Sequence, residues 1–189
     1  MTLDSSPPSS ADPTSGTAAI TQPEIERKFL LKGLPTMPDG SIVQQLEQGY
    51  LPVPDSSRSP TNDELVGGRI RRITHADGRV THHHTVKTGR GLVRMETERQ
   101  ITAEEFERAW LRTRNRRLRK SRRLWRDGPF VWAVDQFDDI DLVLAEVEMP
   151  DTESIAPIPP WLEGHIAREV TDDPRYGNYT LALAIGSKD

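Results

Sequence analysis

The chain has 189 residues, carries a net charge of −4 and contains no cysteine. This length suits one domain with a hydrophobic core, and the lack of cysteine excludes disulfides, thiolate chemistry and cysteine-based zinc sites. The acidic balance argues against a general nucleic-acid binder.

The first 21 residues are rich in serine, proline, threonine and alanine, and they lack the apolar centre of a secretory signal. Such a composition buries too little apolar surface to fold. We therefore expect a disordered leader at 1–21 and one domain at 22–189. No apolar run approaches the length of about 20 residues that crosses a bilayer. The expectation is a cytoplasmic protein with no membrane partner and no nucleic-acid partner.

Most of the chain reads as strands joined by turns. Asp77-Gly78 is a strong hairpin signal, a second glycine turn is expected at 89–91, and the proline-containing segment 52–66 is expected to be a surface loop. Thr102 followed by Glu105 predicts a capped helix. The predicted strands are 24–29, 42–51, 67–74, 79–88, 92–101, 117–126, 130–137 and 142–149, and the predicted helices are 103–114, 161–167 and 174–185.

The first predicted strand has an ionic face. Side chains alternate between the two faces of a strand, so Glu24, Glu26 and Lys28 share one face while Ile25 and Phe29 take the other. The Cβ atoms on one face are roughly 7 Å apart, so both carboxylates can reach one hard cation or each can hold one of a pair. Something ionic is expected against this face.

Six later strands repeat this separation of charged and apolar positions. The charged face carries the acids Glu24, Glu26, Glu96, Glu98, Asp135, Glu146 and Glu148 and the bases Lys28, Arg69, Arg71, Lys87, Arg94, Lys120 and Arg122. An open sheet with this face in water would fit. The persistence of the pattern favours an α+β, mainly β fold: an eight-stranded antiparallel β-barrel tunnel with covering helices and a charged lumen.

The charged groups indicate the kind of ligand. Arginine and lysine bind phosphate oxygens, and carboxylates hold Mg²⁺, which bridges them to substrate phosphates. A lumen with both kinds of group predicts a metal-chelated, phosphate-rich anion. The run His82-His83-His84 places at most two imidazoles on one face, so a solvated or lumen-lining role is favoured over a metal site.

The ordered set of charges resembles the CYTH family, also called triphosphate tunnel metalloenzymes, in its short bacterial type, which resembles inorganic triphosphatases. Glu24-x-Glu26-x-Lys28 is similar to the ExExK signature of that family. The resemblance covers about residues 22–185. Further residues follow in the order of the family, namely Arg69, Arg71, Lys87, Arg94, Glu96, Glu98, Lys120, Arg122, Glu146, Glu148, Glu169, Val170, Thr171, Tyr176, Asn178 and Leu181.

The resemblance implies hydrolysis of inorganic triphosphate, or of a small organic triphosphate, by a metal-activated water with Mg²⁺ or Mn²⁺ as cofactor. It implies that Glu24, Glu26, Lys28 and Lys87 are catalytic, that Glu24, Glu26, Glu96, Glu98, Glu146 and Glu148 hold metal, and that Lys28, Arg69, Arg71, Lys87, Arg94, Lys120 and Arg122 bind phosphate. A CYTH-type adenylyl cyclase and a non-catalytic triphosphate- or polyphosphate-binding module remain alternatives. A monomer or a homodimer is expected.

Overall fold

The structure is a computed structural model that describes residues 18–53, 65–88 and 93–187. The turn predicted at 89–91 and most of the predicted leader and of the predicted 52–66 loop lie outside these ranges. The described strands are β1 (Ile20–Leu31), β2 (Ile42–Tyr50), β3 (Arg69–His75), β4 (Val80–Thr88), β5 (Val93–Ile101), β6 (Arg117–Asp127), β7 (Phe130–Phe137), β8 (Val143–Glu148) and β9 (Ile166–Glu169). The α-helices are α1 (Ala103–Trp110), α2 (Pro160–Glu163) and α3 (Asn178–Gly186), and short 3-10 helices cover Leu111–Thr113 and Pro174–Tyr176.

Eight strands form a closed antiparallel barrel in the order β5-β4-β3-β2-β6-β7-β8-β1. The long strand β1 closes it, because Ile20 to Ile25 pair with β5 and Glu26 to Leu30 pair with β8. Closure satisfies the backbone groups that an open sheet would leave at its edges. The predicted eight-stranded antiparallel barrel is confirmed.

The outward face of the barrel is apolar and lies under helices and loops. Thr102 and Glu105 form the predicted capping box of α1, which packs the buried Phe106 against Ile70. On another side, Leu162 of α2 joins a cluster with the wall residues Trp132 and Val147. Each fully buried side chain of this kind contributes roughly 1.5–3 kcal/mol to folding. Within the described ranges, no helix combines the length and apolar character needed to cross a membrane.

Three predicted helix boundaries were wrong. The helix predicted at 103–114 ends as an α-helix at Trp110, and the chain reverses at Asn115, which has a positive φ of 62°. The helix predicted at 161–167 ends at Glu163, because β9 follows and pairs with the part of β1 that extends beyond β5. The helix predicted at 174–185 is broken by the extended backbone of Gly177.

The helix α3 packs inside one end of the barrel. Its Leu181 and Ala182 form an apolar cluster with Leu118, Phe137 and Leu144 of the barrel wall. These wall residues belong to the lumenal face by strand alternation, since Leu144 pairs with Asp135 and Phe137 with Lys120. The charged part of the lumen therefore lies beside the amino-terminal end of α3.

Candidate active site

The lumen contains a cavity of about 340 Å³ next to α3. Five basic and four acidic side chains line it: Lys28, Arg69, Arg71, Lys87, Arg122, Glu24, Glu26, Glu146 and Glu148. Tyr50, Thr85, Asn178 and Tyr179 also line it, together with a few apolar groups. The charged face predicted from alternation is therefore brought together around one enclosed space.

A network of charges centred on Asp135 supports one wall of the cavity. The Asp135 carboxylate accepts hydrogen bonds from Arg122 through Nε and Nη2, both at 2.7 Å, and from Lys120 Nζ at 2.5 Å. Arg122 Nη2 also donates to Glu146 Oε2 at 2.7 Å, and Lys28 Nζ lies 3.0 Å from Glu146 Oε1. The network fixes Arg122 in a bidentate geometry that leaves it little rotational freedom.

Burial disfavours the charged forms of these side chains, and their charged partners determine how far the pKa of each one shifts. Burial opposes the ionised forms of Asp135 and Glu146, but Arg122 acts on both, with Lys120 and Lys28 respectively, and the pKa of each carboxyl is lowered. Burial lowers the pKa of Lys120 to about 8, because Asp135 compensates only partly. Lys120 is 1% exposed and is not one of the cavity-lining residues that the structure describes.

The opposite wall is built around Lys87. Its ammonium lies 2.5 Å from both carboxylate oxygens of Glu24 and 2.9 Å from Glu96 Oε2. Arg69 Nη2 is 3.7 Å from Glu96 Oε1. Burial opposes the charge of Glu96, but Lys87 and Arg69 together lower its pKa. Lys87 therefore joins a cavity acid to an acid of the adjoining wall.

Glu98 is saturated with hydrogen-bond donors. Its Oε2 accepts from Thr85 Oγ1 at 2.7 Å and from Arg71 Nη2 at 3.0 Å, and its Oε1 lies 3.1 Å from His83 Nδ1. Burial opposes ionisation, but the hydrogen bond to His83 and the charge of Arg71 bring the pKa of Glu98 to about 2. Burial and the neighbouring Arg69 lower the pKa of Arg71 to about 10.

Two arginines of the cavity wall each have a buried donor with no acceptor among the described residues. The Nε atoms of Arg69 and Arg71 are buried, and neither has a hydrogen-bond partner in the described part of the chain. An unsatisfied buried donor costs roughly 1–3 kcal/mol. Arg69 and Arg71 both line the cavity, so their guanidinium groups lie where an anion would be favourable.

Three acids lie close together at the wall formed by β1 and β8. Glu26 and Glu148 are directly paired across these strands, and Glu24 lies on the same face of β1. Burial raises the pKa of Glu148; Arg122 opposes this, whereas Glu24, Glu26 and Glu146 add to it. Mutual repulsion of this kind indicates a place where a cation would be favourable.

The donor chemistry of these acids fits a hard divalent cation, which prefers carboxylate oxygens. Their present positions do not form a closed coordination cage. Across the ranges that the structure describes, no group of three or more histidine or carboxylate side chains is arranged to hold a metal ion. The reason is visible at Glu24, which is turned toward Lys87. Metal binding would require such carboxylates to exchange an ammonium partner for the cation.

Most of the predicted site residues meet around the main cavity, and the exceptions are informative. Glu96 and Glu98 line a neighbouring cavity of about 240 Å³, although both reach cations of the main one. The side chain of Arg94 lies outside the described part of the chain, and its backbone pairs with Glu24. Tyr179 also lines the cavity, and nothing in the sequence indicated this, because its position depends on how α3 packs.

The comparisons with known proteins agree with this geometry. No family model matches the chain. An inorganic triphosphatase of Nitrosomonas europaea is 36% identical over 169 residues, a match that covers 86% of this chain and 98% of that protein. An inorganic triphosphatase of Acetivibrio thermocellus is 38% identical, and the match covers 84% of this chain and 92% of that protein.

A solved crystal structure described as that of an inorganic triphosphatase has 33% sequence identity and a TM-score of 0.52. The match covers 85% of this chain and 94% of the solved chain. The sequence relationship thus extends over nearly the whole length of these proteins. The chain belongs to the family of inorganic triphosphatases.

Proposed function

We propose that the tunnel hydrolyses inorganic triphosphate, or a small organic triphosphate, in the presence of Mg²⁺ or Mn²⁺. The observation that carries this proposal is a cavity lined by five cationic side chains, two of which, Arg69 and Arg71, have a buried Nε with no acceptor among the described residues. The names of the two curated relatives support triphosphate as the substrate. The order of the charged motifs supports a CYTH-type enzyme, and a cytoplasmic monomer or homodimer stays a prediction.

In this proposal the cationic side chains bind and orient the phosphates. Arginine forks suit phosphate oxygens, and Arg122 is already held by Asp135 while Arg71 is held by Glu98. Groups fixed before the reaction stabilise developing charge without reorganising. Lys28 and Lys87 also line the cavity and complete the set of cations that would bind the phosphates. Lys120 is directed at Asp135, and we assign it the task of holding that carboxylate.

The metal would be held by carboxylates of β1 and β8. Glu24, Glu26 and Glu148 are the first candidates, because all three line the cavity and the charges of Glu24 and Glu26 help to raise the pKa of Glu148. The further predicted acids are Glu96, Glu98 and Glu146. A divalent cation bound there supplies charge neutralisation for the triphosphate and lowers the pKa of a coordinated water. When triphosphate enters, Lys87 exchanges Glu24 for a phosphate oxygen.

The decisive experiment measures phosphate release from inorganic triphosphate with Mg²⁺ and with Mn²⁺. Glu26→Gln removes a carboxylate charge and Lys87→Ala removes a fixed cation, so each should lower kcat/KM at least about a hundredfold while the far-ultraviolet circular dichroism spectrum stays unchanged. Arg108→Ala is the matched control, because Arg108 lies on α1 and is 58% exposed. Full activity in either site variant would exclude the proposal.

The same assay separates the alternative functions. A chelator should abolish turnover, and adding Mg²⁺ should restore it. Incubation with ATP and Mn²⁺ would yield cyclic AMP from a cyclase but free phosphate from a triphosphatase. Tight triphosphate binding without turnover under any divalent metal would identify a binding module and exclude hydrolysis.

A further inference from the structure

We propose that His83 is a positioning residue, which holds Glu98 so that Glu98 in turn orients Arg71 and Thr85 toward the triphosphate. This inference rests on the proposed function and deepens it. It also gives a role to one member of the histidine run 82–84.

The three histidines of the run do different things. His82 faces outward and packs on the ring of Phe106, with ring centroids 4.8 Å apart. His84 also faces outward, and its Nε2 lies 3.0 Å from the carbonyl oxygen of Gly67. His83 faces the lumen, directly across from Arg71 in the β3–β4 ladder. The two outward histidines thus contact the outer surface of the barrel, where Arg72 Nε also donates to His82 Nε2 at 3.4 Å, and His83 is the member of the run that reaches the lumenal charges.

The contacts of His83 form a hydrogen-bond chain with one consistent direction. His83 Nδ1 lies 3.1 Å from Glu98 Oε1, and an ionised carboxylate can only accept, so Nδ1 carries the proton. In the neutral imidazole Nε2 is then an acceptor, and Thr81 Oγ1 at 3.2 Å donates to it. The Thr81 hydroxyl oxygen in turn accepts from His75 Nε2 at 3.1 Å.

This series of hydrogen bonds occupies Oε1 of Glu98 and leaves Oε2 to bind donors that face the lumen. Glu98 Oε2 receives Thr85 Oγ1 at 2.7 Å and Arg71 Nη2 at 3.0 Å. A carboxylate held at Oε1 cannot rotate away from these two donors. The side chain of Arg71 is 13% exposed, and its Nε has no acceptor in the described part of the chain. Glu98 therefore fixes the orientation of the Arg71 guanidinium group beside the cavity that Arg71 lines.

The expected consequence is a loss of substrate binding rather than of the chemical step. Without His83, Glu98 can rotate and Arg71 is no longer fixed before triphosphate arrives. Weakening one charge-assisted hydrogen bond corresponds to about a tenfold change in binding. Because Arg71 contacts the substrate before and during the reaction, the effect should fall on KM more than on kcat.

The test compares three variants at saturating Mg²⁺ with inorganic triphosphate as the substrate. His83→Leu should raise KM about tenfold and change kcat by less than about twofold. His83→Asn carries an amide nitrogen near the position of Nδ1, and it should recover most of the loss. His82→Leu is the matched control, because it keeps an apolar contact with Phe106 and faces away from the lumen; its KM should be unchanged. Circular dichroism confirms that each variant is folded.

A second measurement is independent of activity. Nitrogen-15 NMR of the histidine-labelled protein should show His83 as the Nδ1–H tautomer. An Nε2–H tautomer, an unchanged KM in folded His83→Leu, or a His83→Asn variant no better than His83→Leu would each overturn the inference. If the wild-type protein releases no phosphate from triphosphate, the proposed function fails, and the tautomer alone then decides whether His83 holds Glu98.

Discussion

Asp135 is a fully buried carboxylate whose partners are the buried Lys120 and the half-buried Arg122. It lines no wall of the main cavity, yet it fixes an arginine that does. Removing one member of a buried ionic group leaves the remaining charges uncompensated. The contribution of Asp135 to activity should therefore pass through the stability of this network and the geometry of Arg122.

Asp135→Ala should lower the free energy of unfolding by about 3–5 kcal/mol, because Lys120 then loses its buried counter-charge and Arg122 keeps only its contact with Glu146. Urea denaturation followed by circular dichroism measures this change. The matched control is Glu104→Ala, which removes an ion pair of similar length, 2.7 Å from Arg108, between side chains that are 84% and 58% exposed. The control should cost less than about 1 kcal/mol.

Equal small losses of stability in Asp135→Ala and Glu104→Ala would show that burial does not distinguish these ion pairs.

At the residue scale, strand alternation correctly assigned Asp135 and Lys120 to the lumenal face. It could not tell that Lys120 lies away from the cavity. Depth along the tunnel depends on where α3 enters, and α3 is distant from β6 in sequence.

At the scale of elements, the two glycines before β3 set the path of the strand that carries Arg69 and Arg71. Gly67 and Gly68 both have positive φ, at 61° and 71°. A Cβ on Gly68 would lie 2.3 Å from the backbone oxygen of Thr85, whereas a Cβ on Gly67 would meet nothing within 4 Å. Substituting each of these two neighbouring glycines therefore separates the cost of backbone strain from the cost of a steric clash.

Gly67→Ala should cost about 1 kcal/mol of stability, since only left-handed backbone strain is added. Gly68→Ala should cost at least about 2 kcal/mol more, because the backbone of β4 must move away from β3. It should also raise KM for triphosphate, since the shift displaces Arg69 from Thr85. Thermal unfolding and phosphate release measure both effects. The same cost for the two variants would contradict the clash.

The strand β9 was not predicted from the sequence, because it forms only by pairing with another element. The sequence of Ile166–Glu169 contains no turn signal that would indicate a strand. Four residues are also too few for the spacing of apolar positions to distinguish a strand from a helix. What makes the segment a strand is the free edge of β1, whose Phe29 pairs with Glu169. Arg27 reinforces the pairing through two hydrogen bonds to Glu169, at 3.0 and 2.6 Å.

At the scale of the whole molecule, the barrel depends on the amino-terminal half of β1. Strand β1 begins at Ile20, inside the segment predicted as leader, and its residues up to Ile25 form the seam with β5. Residues 1–17 of the predicted leader lie outside the described residues. The division between leader and domain stays a prediction that truncation can test.

A chain that begins at Ala18 should keep the stability and the kcat/KM of the full chain, because the complete seam remains. A chain that begins at Glu24 loses the pairs from Ile20 to Pro23 with β5, and it should be less stable by at least about 2 kcal/mol. Urea denaturation and phosphate release check both chains. Unchanged stability in the shorter chain would mean that the seam does not hold the barrel closed.

The sequence by itself determined the alternation of charged and apolar positions, and with it the barrel, the lumenal face and the ionic strand Glu24 to Lys28. Alternation is a local property of extended backbone, so it can be followed residue by residue. Only the tertiary structure decided which charges neutralise each other, that Lys120 is buried behind the cavity and that His83 meets Glu98. Those facts depend on strand register, on barrel closure and on the packing of α3, which bring together residues far apart in the chain.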